Sequence, residues 1–280
     1  MGGSWTASDV AGLLRRPTAT DDKYSRGVLG IRTGSELYPG AAVLGVEAAW
    51  RTGVGMVRYV GAARDLVLQR RPETVTQDGR VQAWLIGSGT DASARRGDET
   101  HALRAILAGD VPVVVDAGAL DLVVGATAPL VVTPHAREHA KLRSALGLGE
   151  YDAADPDSRA RAAAETAAAL GGAVLLKGSA TVVAAPSGWS TVVEAGTPWL
   201  ATAGTGDVLG GVVGALVAGA ADDGSLDAER LARLAASGAW LHGHAANLAA
   251  AAAGKGGGPI TALDVADALP RAVAEVLAGG

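Results

Sequence analysis

Short runs of β-branched and aliphatic residues alternate with longer alanine-rich stretches along the chain of 280 residues. The short runs predict eight strands, at residues 27–31, 56–60, 81–86, 111–116, 130–133, 173–176, 181–185 and 191–194. The longer stretches predict helices at residues 40–52, 100–107, 138–146, 158–170, 205–218, 227–249 and 262–277. Apolar strands separated by helices are typical of a mostly parallel sheet covered on both faces, so the sequence predicts an α/β fold. The last two strands flank Pro186-Ser187-Gly188-Trp189, which predicts a hairpin late in the sheet.

The bulk composition argues against several classes of protein. Hydrophobic residues make up 49% of the chain and charged residues 19%, which is enough apolar material for a large core. A net charge of -5 without a basic stripe argues against nucleic-acid binding, and the lack of cysteine excludes disulfides and thiolate metal sites. The most apolar segment, residues 208–221, is too short to span a bilayer. We therefore expect a soluble, cytoplasmic protein with no membrane or nucleic-acid partner, and no linker divides residues 1–280 into separate domains.

Polar residues directly follow four of the predicted strands. They are found in Gly87-Ser88-Gly89, at Asp116, in Thr133-Pro134-His135 and in Lys177-Gly178. In open α/β sheets a ligand binds beyond the carboxyl ends of the strands, so these residues are candidates for one shared site.

A glycine-rich turn, Ala203-Gly204-Thr205-Gly206-Asp207, leads directly into an apolar predicted helix. Such a turn exposes unpaired backbone N–H groups at the positive end of the helix dipole, and glycine permits close approach of an anion. Gly204, Thr205 and Gly206 are therefore candidates for a phosphate or phosphoryl site. Asp207 lies in the first helical turn and could take a proton from a substrate hydroxyl as that oxygen attacks a phosphate. The alternative is that Asp207 merely caps the helix.

Two further segments carry charged or titratable side chains. In Lys177-Gly178-Ser179-Ala180-Thr181, the lysine could pair with a phosphate as a point charge, or it could be a solvent-facing lysine in a hairpin. In the other segment, Pro134 ends a strand, and His135 and Glu138 can share one face of the following helix. His135 could contact a substrate and Glu138 a magnesium-bound water; alternatively, Glu138 is a first-turn partner of the helix dipole.

Two remaining patterns have both a functional and a structural interpretation. Small residues in Gly34-Ser35 and Tyr38-Pro39-Gly40-Ala41-Ala42 would let a flat ligand approach the start of a helix, or they serve tight helix–sheet packing. His242 and His244 are two residues apart, so on a helix they point in different directions and do not predict a metal site. We interpret His242 as a packed helix residue.

Together these motifs resemble those of the ADP/ATP-dependent NAD(P)H-hydrate dehydratase family, in the ribokinase-like superfamily. The resemblance extends over residues 23–276. The Gly-Thr-Gly-Asp turn occurs across many small-molecule kinases of the superfamily, whereas the Tyr-x-Gly-Ala-Ala and Thr-Pro-His-x-x-Glu blocks are more specific to the dehydratases. The other matching segments are Arg51-Thr52-Gly53-Val54-Gly55, Val115-Asp116-Ala117, Leu176-Lys177-Gly178 with Thr181, and His242-Gly243-His244-Ala245.

The resemblance implies a three-layer ribokinase-like fold and a lyase that repairs hydrated NADH and NADPH. In that family ADP or ATP phosphorylates the ring hydroxyl, and phosphate, a better leaving group than water, then departs to restore the double bond. By motif, Asp207 would be the base, and Gly204, Thr205 and Gly206 would cradle the transferring phosphate. Nucleotide contacts would come from Lys177, Gly178, Ser179, Ala180, Thr181 and Gly206. The hydrated dinucleotide would contact Ala41, Gly89, His135 and Asp207, and Glu138 would reach a metal ion through water.

The resemblance also implies Mg²⁺, a homotetramer, and a single catalytic domain preceded by an N-terminal extension, residues 1–22. Some relatives carry an epimerase domain at their N-terminus that residues 1–280 do not include, so epimer interconversion is expected from a separate epimerase or to occur spontaneously. Ser25-Arg26-Gly27 stands where the family has His-Lys-Gly, and Gly87-Ser88-Gly89-Thr90 where it has Gly-Pro-Gly-x-Gly. We expect both departures to affect contacts on the substrate side. Two alternatives stay open, namely a vitamin-precursor kinase of the same superfamily and a non-catalytic nucleotide-binding protein.

Overall fold

The structure is a computed structural model that describes residues 3–221 and 226–279. Its centre is one eight-stranded sheet in the order β2-β1-β3-β4-β5-β6-β7-β8. The strands are β1 (Val28–Arg32), β2 (Met56–Tyr59), β3 (Ala83–Ile86), β4 (Val113–Val115), β5 (Leu130–Val132), β6 (Ala173–Leu176), β7 (Thr181–Ala184) and β8 (Ser190–Val193). Strands β1 to β6 pair in parallel, and β7 is antiparallel to both of its neighbours. The predicted strands and the late hairpin are confirmed.

The helices of the described residues surround this sheet. They are α1 (Ala7–Ala11), α2 (Gly40–Thr52), α3 (Arg64–Arg70), α4 (Gly97–Leu107), α5 (Ala136–Ala145), α6 (Pro156–Leu170), α7 (Thr205–Gly219), α8 (Ala228–Ala252) and α9 (Ala262–Gly279). All predicted helices are present, but α1 and α3 were not predicted, because each is short and buries a single side chain. Among these residues, no helix combines the length and the apolar character needed to cross a membrane.

The two faces of the sheet carry separate cores, as a doubly covered sheet requires. Leu85 of β3 packs in the core beneath α2, α7, α8 and α9, whereas the next residue, Ile86, packs in the core on the side of α4, α5 and α6. Successive side chains of a strand point to opposite faces, so both of these neighbours are fully buried. The molecule is therefore built of three layers, helices–sheet–helices.

Close contact between α2 and α7 fixes the start of α7 above the sheet. A Cβ atom placed at Gly211 would lie only 2.3 Å from the carbonyl oxygen of Gly45, so the two helix backbones touch at this point. Helix α7 also lies against β1, β3 and β4. Its first turn is thereby held over the carboxyl ends of the central strands, where such sheets bind ligands.

Part of the predicted N-terminal extension packs onto the same layer as α7. Trp5 is buried, and its indole N–H donates to the hydroxyl of Ser237 in α8 over 3.2 Å. Ser4 forms an isolated bridge with Val192 of β8. These contacts attach the first described residues to the edge of the sheet and to its helical cover.

A buried ion cluster joins α2 to α3. Glu47 is fully buried and accepts hydrogen bonds from Arg51, Arg70 and Arg71. Burial alone would raise the pKa of Glu47, but the hydrogen bonds from Arg71 and Arg51 outweigh it and lower the pKa to about 2. The stability from this group is therefore present above the ordinary pKa of a glutamate and is lost as the pH falls towards 2.

We expect Glu47→Gln to lower the free energy of unfolding by about 1–3 kcal/mol, because a neutral amide in the buried place of the carboxylate leaves three partly exposed guanidinium groups without their charged acceptor. Urea denaturation at neutral pH measures the change. Glu275→Gln is the matched control, since Glu275 pairs with Arg271 at the same four-residue spacing but on the surface, and its loss should be much smaller. Equal losses in the two variants would contradict a structural role for the buried cluster.

Candidate active site

Asp116, directly after β4, is the centre of a buried polar cluster at the carboxyl ends of the strands. Its Oδ1 accepts from the Thr133 hydroxyl over 2.9 Å and from the Lys177 ammonium group over 2.7 Å. Its Oδ2 accepts from the Ser88 hydroxyl over 3.1 Å. The side chains that follow β3, β4, β5 and β6 thus meet at one carboxylate, as predicted for residues that follow parallel strands.

Lys177 points into this cluster rather than into solvent, so the alternative of a solvent-facing hairpin lysine is wrong. Its Nζ lies 2.7 Å from Asp116 and 3.9 Å from Glu138, and one fifth of the side chain is exposed. Burial alone would lower the pKa of Lys177, but the charges of Asp116 and Glu138 outweigh it and raise the pKa. The group therefore remains a full positive charge at neutral pH.

The glycine-rich turn places Asp207 beside this cluster. Gly204 begins α7 with a φ of 89°, a conformation that favours glycine, and a Cβ atom there would lie 2.6 Å from a methyl carbon of Leu44. The helix start has no side-chain cap, so the structure does not support the alternative that Asp207 serves as one. Burial, and then the charge of Asp116, raise the pKa of Asp207 to about 6, although Lys177 acts in the opposite direction.

The backbone of the turn, and not the Thr205 side chain, is available to an anion. The Thr205 hydroxyl donates to the carbonyl oxygens of Leu200 and Thr202, and its amide donates to Thr202 over 3.5 Å, so the amides of Gly206 and Asp207 remain for the predicted phosphate site. Gly206 leaves open space, and a Cβ atom placed there would lie 3.8 Å from the Lys177 Nζ. Bare amides at a helix start beside a buried ammonium group make a favourable anion site.

A cavity of about 800 Å³ opens in front of this turn. Its polar and charged lining includes His135, Lys177, Ser179, Thr181 and Thr205, with the backbone of Gly178 and Gly206. Its apolar lining includes Val193, Ala195, Pro198, Leu200, Leu209 and Ala239. A cavity with a largely apolar wall and a few polar and charged groups fits a ligand with an anionic group and a flat base.

Ala180 is the one member of the predicted nucleotide segment that is not on the cavity wall. Its carbonyl oxygen accepts from the guanidinium group of Arg159, whose Nη2 lies 3.3 Å away. The remaining predicted members, Lys177, Gly178, Ser179 and Thr181, line the cavity.

His135 and Glu138 form a reciprocal cap at the start of α5. The His135 Nδ1 accepts from the amides of Arg137 and Glu138, and the Glu138 carboxylate accepts from the His135 amide over 2.8 Å. This arrangement confirms the first-turn role of Glu138 and, in the neutral ring, places the His135 proton on Nε2. Within residues 3–221 and 226–279, no group of three or more His, Asp or Glu side chains is arranged to hold a metal ion.

Ala41 and Gly89 pack against each other where the segments that follow β1 and β3 meet. Gly89 has a φ of 65°, and a Cβ atom there would lie 2.3 Å from the Ala41 Cβ. They do not line the cavity. In the order of strands, β4, which Asp116 follows, lies between β1 and β3 on their side and β5 and β6 on the side of the cavity. Of the predicted dinucleotide contacts, Ala41 and Gly89 thus lie apart from the nucleotide residues, whereas His135 lines the cavity together with them.

One expectation about the substrate side is wrong. Ser25-Arg26-Gly27 lies at the amino end of β1, opposite the polar cluster, where the Arg26 guanidinium donates to the Gly53 carbonyl oxygen at the end of α2. This departure from the family pattern therefore does not alter the site within the chain. The other departure, Gly87-Ser88-Gly89-Thr90, does lie at the site, because it includes Ser88 and Gly89.

The sequence alone did not assign three parts of the site. Asp116 was identified only as a polar residue after a strand, and its partners come from distant segments. The wall formed by residues 195–202 has no motif beyond its small residues. His242 is buried, which agrees with its interpretation as a packed helix residue. It also lines the cavity, and burial lowers the pKa of its ring to about 4.

The family model for NAD(P)H-hydrate dehydratase matches residues 29–271. The chain belongs to this family. It is 34% identical to an ADP-dependent (S)-NAD(P)H-hydrate dehydratase from Neisseria meningitidis serogroup B, with 83% of this chain and 80% of that protein covered. It is 42% identical to a bifunctional NAD(P)H-hydrate repair enzyme from Mycobacterium leprae, where 91% of this chain corresponds to 53% of the relative. The chain thus spans about half the length of the bifunctional relatives in this dehydratase family.

Solved structures agree with this assignment to the dehydratase family. An ADP/ATP-dependent NAD(P)H-hydrate dehydratase from Bacillus subtilis, co-crystallized with ATP/Mg²⁺, superposes with a TM-score of 0.81 at 26% identity and 98% coverage of both chains. A ribokinase-like superfamily protein from Enterococcus faecalis superposes with a TM-score of 0.78 at 20% identity, which shows the shared fold. The predicted ribokinase-like fold is confirmed.

Proposed function

We propose that the chain is an ADP- or ATP-dependent (S)-NAD(P)H-hydrate dehydratase. The observation that carries the proposal is Asp207, a carboxylate of raised pKa in the first turn of a helix whose bare amides border a deep cavity. The names of the relatives from Neisseria meningitidis and Bacillus subtilis support the substrate class and the nucleotide. A phosphoryl donor in the cavity and an alcohol bound beside Ala41 and Gly89 would approach Asp207 from two sides.

The proposed reaction has two steps that balance in protons and electrons. First, Asp207 accepts the proton of the ring hydroxyl while the hydroxyl oxygen attacks the terminal phosphorus of ADP or ATP, which releases AMP or ADP. Then the ring C–O bond breaks, phosphate leaves with the electron pair of that bond, and the neighbouring ring carbon gives its proton to solvent, so that the C–H electron pair forms the double bond. The double bond is restored at the expense of one phosphoryl bond, because phosphate is a far better leaving group than hydroxide.

Each residue of the site has one proposed task. The amides of Gly206 and Asp207, with Lys177, hold the transferring phosphoryl group, and Ser179 and Thr181 line the nucleotide side. His135 lines the cavity, and its Nε2–H, whose nitrogen lies 3.4 Å from a carboxylate oxygen of Glu138, would be its donor to the ligand. Ala41 and Gly89 give the nicotinamide end a smooth, close-packed wall.

The residues present are compatible with Mg²⁺ that is carried by the nucleotide. Mg²⁺ usually keeps several waters and binds through one or two carboxylates and the phosphates, so a cage of three protein ligands is not needed. Glu138, whose carboxylate lies 3.9 Å from the Lys177 ammonium group, is the carboxylate that would contact a metal-bound water. When bound, the ion would neutralise charge on the phosphates.

Recovery of the reduced-nicotinamide absorbance band tests this proposal. We expect the chain to regenerate NADH from its hydrate with ADP or ATP and Mg²⁺, and to form one phosphate per turnover. A nucleotide omitted from the mixture should stop the reaction. No recovery, together with phosphorylation of a vitamin-precursor alcohol, would instead establish a kinase; nucleotide binding without either reaction would establish a non-catalytic protein.

We expect the rate to fall as the pH drops below about 6, because Asp207 acts only in its ionised form and its raised pKa lies there. Above that pH the carboxylate is ionised, so the ionisation of Asp207 should no longer change kcat/KM. The measurement is kcat/KM for the hydrate at saturating ADP between mildly acidic and neutral pH. A profile that stays flat down to the ordinary pKa of an aspartate would contradict Asp207 as the base.

The expected assembly rests on the resemblance alone, whereas the expected domain organisation and location rest also on the composition of the sequence. We propose a homotetramer, one catalytic domain over residues 1–280 with residues 1–22 as its extension, and a cytoplasmic location. Sedimentation velocity at micromolar concentration tests the tetramer. We also propose that a separate epimerase, or spontaneous epimerisation, supplies the S epimer. The bifunctional names of some relatives support a functional link between two repair activities.

A further inference from the structure

We propose that Asp116 is a positioning residue, which holds the ammonium group of Lys177 and so leaves the Asp207 carboxylate unpaired and able to accept a proton. The catalytic meaning of this inference rests on the proposed function. Its structural content does not, since it concerns which of two neighbouring carboxylates the buried lysine occupies.

Hydrogen bonds to both oxygens hold the Asp116 carboxylate in place. Thr133 and Lys177 donate to Oδ1, Ser88 donates to Oδ2, and the side chain is almost completely buried. A carboxylate fixed by three donors cannot rotate towards a ligand without breaking one of them. Asp116 is therefore built to hold Lys177 rather than to contact substrate itself.

Lys177 lies near more than one carboxylate and forms its short ion pair with Asp116. Its Nζ is 2.7 Å from Asp116 and 3.9 Å from Glu138, whereas none of the residues described in the structure forms an ion pair with Asp207. Lys177 is nevertheless close enough for its charge to act on Asp207. Without Asp116 the ammonium group would turn to Glu138 or to Asp207, and a pairing with Asp207 would quench the proposed base.

Two charged groups act on Asp207, namely Asp116 after β4 and Lys177 after β6. The other titratable groups near Lys177 are His135 and Glu138 at the start of α5 and His242 on α8. Asp116 raises the pKa of Asp207 and Lys177 lowers it, so the two members of the pair act with opposite sign. Burial keeps His242 uncharged at neutral pH, because it lowers the pKa of that ring to about 4.

Ser88 supplies a donor to Asp116 that the family pattern does not provide. It stands where the family pattern described above has proline, which has no side-chain donor. Here its hydroxyl donates to Asp116, and its carbonyl oxygen accepts from the Gly34 amide over 2.7 Å. Ser88 therefore connects the loop after β1, which contains Gly34, to the Asp116 carboxylate that holds Lys177.

Titration of the Asp207 carboxyl carbon by ¹³C NMR tests the inference without any substrate. The signal is assigned by its loss in Asp207→Asn, and its midpoint in the wild type should be about 6. We expect Asp116→Asn to lower this midpoint by about one unit or more, a tenfold change in proton affinity, because the Asp116 charge that raises it is lost and Lys177 is released towards Asp207. Ser88→Ala and Thr133→Val keep that charge and separate the release of Lys177 from the direct effect of the charge. Lys177→Met should raise the midpoint, since Asp116 then acts on Asp207 uncompensated.

Opposite signs distinguish positioning from general damage, which would move both variants towards the ordinary aspartate value. Glu138→Gln is the matched control and should shift the midpoint less than Asp116→Asn. If Asp116→Asn fails to fold, Ser88→Ala and Thr133→Val keep the charge but loosen the carboxylate, and each should lower the midpoint by a smaller amount. An unchanged midpoint in these variants, or shifts of the same sign in Asp116→Asn and Lys177→Met, would overturn the inference. Failure of the proposed function appears separately, as absence of wild-type turnover.

Discussion

We expect Asp207→Asn to lose at least about a thousandfold in the rate of turnover while it still binds ADP. Asparagine has the size of aspartate but cannot accept the hydroxyl proton. The amides of the turn and the Lys177 ammonium group, which would hold the phosphates, are unchanged. Single-turnover rates and calorimetric ADP affinity, measured on the same preparations, separate the two effects.

Asp264→Asn is the matched control for that variant. Asp264 also lies in the first turn of a helix, α9, but its carboxylate bonds to Thr261 and takes no part in the cavity wall. Its turnover should equal that of the wild type. If Asp207→Asn kept a rate within about tenfold of the wild type, the proton acceptor would have to be another group.

The same substitution should make the protein more stable above pH 6. The pKa of Asp207 is raised in the folded protein, so the folded state binds more protons than the unfolded state between about 4 and 6. The contribution of this carboxylate to stability therefore falls as the pH rises through that window, and asparagine removes the penalty. Thermal unfolding of the wild type and Asp207→Asn at pH 5 and pH 8 measures this change in stability. We expect Asp207→Asn to raise the melting temperature more at pH 8 than at pH 5.

Gly206→Val should abolish nucleotide binding without harm to the fold. A side chain at this position would project into the anion site and lie against Lys177, whose Nζ is 3.8 Å from the new Cβ atom. We expect at least about a hundredfold loss of ADP affinity, or nearly 3 kcal/mol. Because valine has a higher helix propensity than glycine, the free energy of unfolding should stay the same or rise slightly.

Gly219→Val is the control for this second variant. Gly219 ends the same helix at its opposite end, and a Cβ atom there meets only the Arg26 carbonyl oxygen, at 3.7 Å. Its ADP affinity should match that of the wild type. Equal affinity in Gly206→Val and Gly219→Val would place the phosphates somewhere other than the glycine-rich turn.

Local sequence patterns were sufficient to predict most of the fold. The strands are short apolar runs bounded by turn residues, and the start of α7 is marked by Gly204-Thr205-Gly206. The late hairpin follows from Pro186-Ser187-Gly188-Trp189, which connects β7 and β8. In each case the deciding interactions lie within a few residues of each other, so the local pattern contains the information.

The site could be predicted only in part, because its centre depends on contacts between distant residues. Asp116 lies 28 residues from Ser88 and 61 from Lys177, and no local pattern states that these side chains meet. The mistaken assignment of Ser25-Arg26-Gly27 to the substrate side has a different cause. This segment precedes β1, so it lies at the amino end of a parallel strand and away from the ligand edge, which the predicted strand at residues 27–31 already implied. Asp207 was predicted because the helix start and the acidic residue are adjacent in sequence.

The fate of the hydroxyl oxygen tests the central claim most directly. NADH hydrate labelled with ¹⁸O in its ring hydroxyl should be converted by the chain, with ADP or ATP, to NADH and inorganic phosphate that carries the label, because the oxygen becomes part of the phosphoryl group before the C–O bond breaks. Mass spectrometry of the phosphate shows this. Label recovered in water, with unlabelled phosphate, would contradict phosphoryl transfer to the hydroxyl beside Asp207.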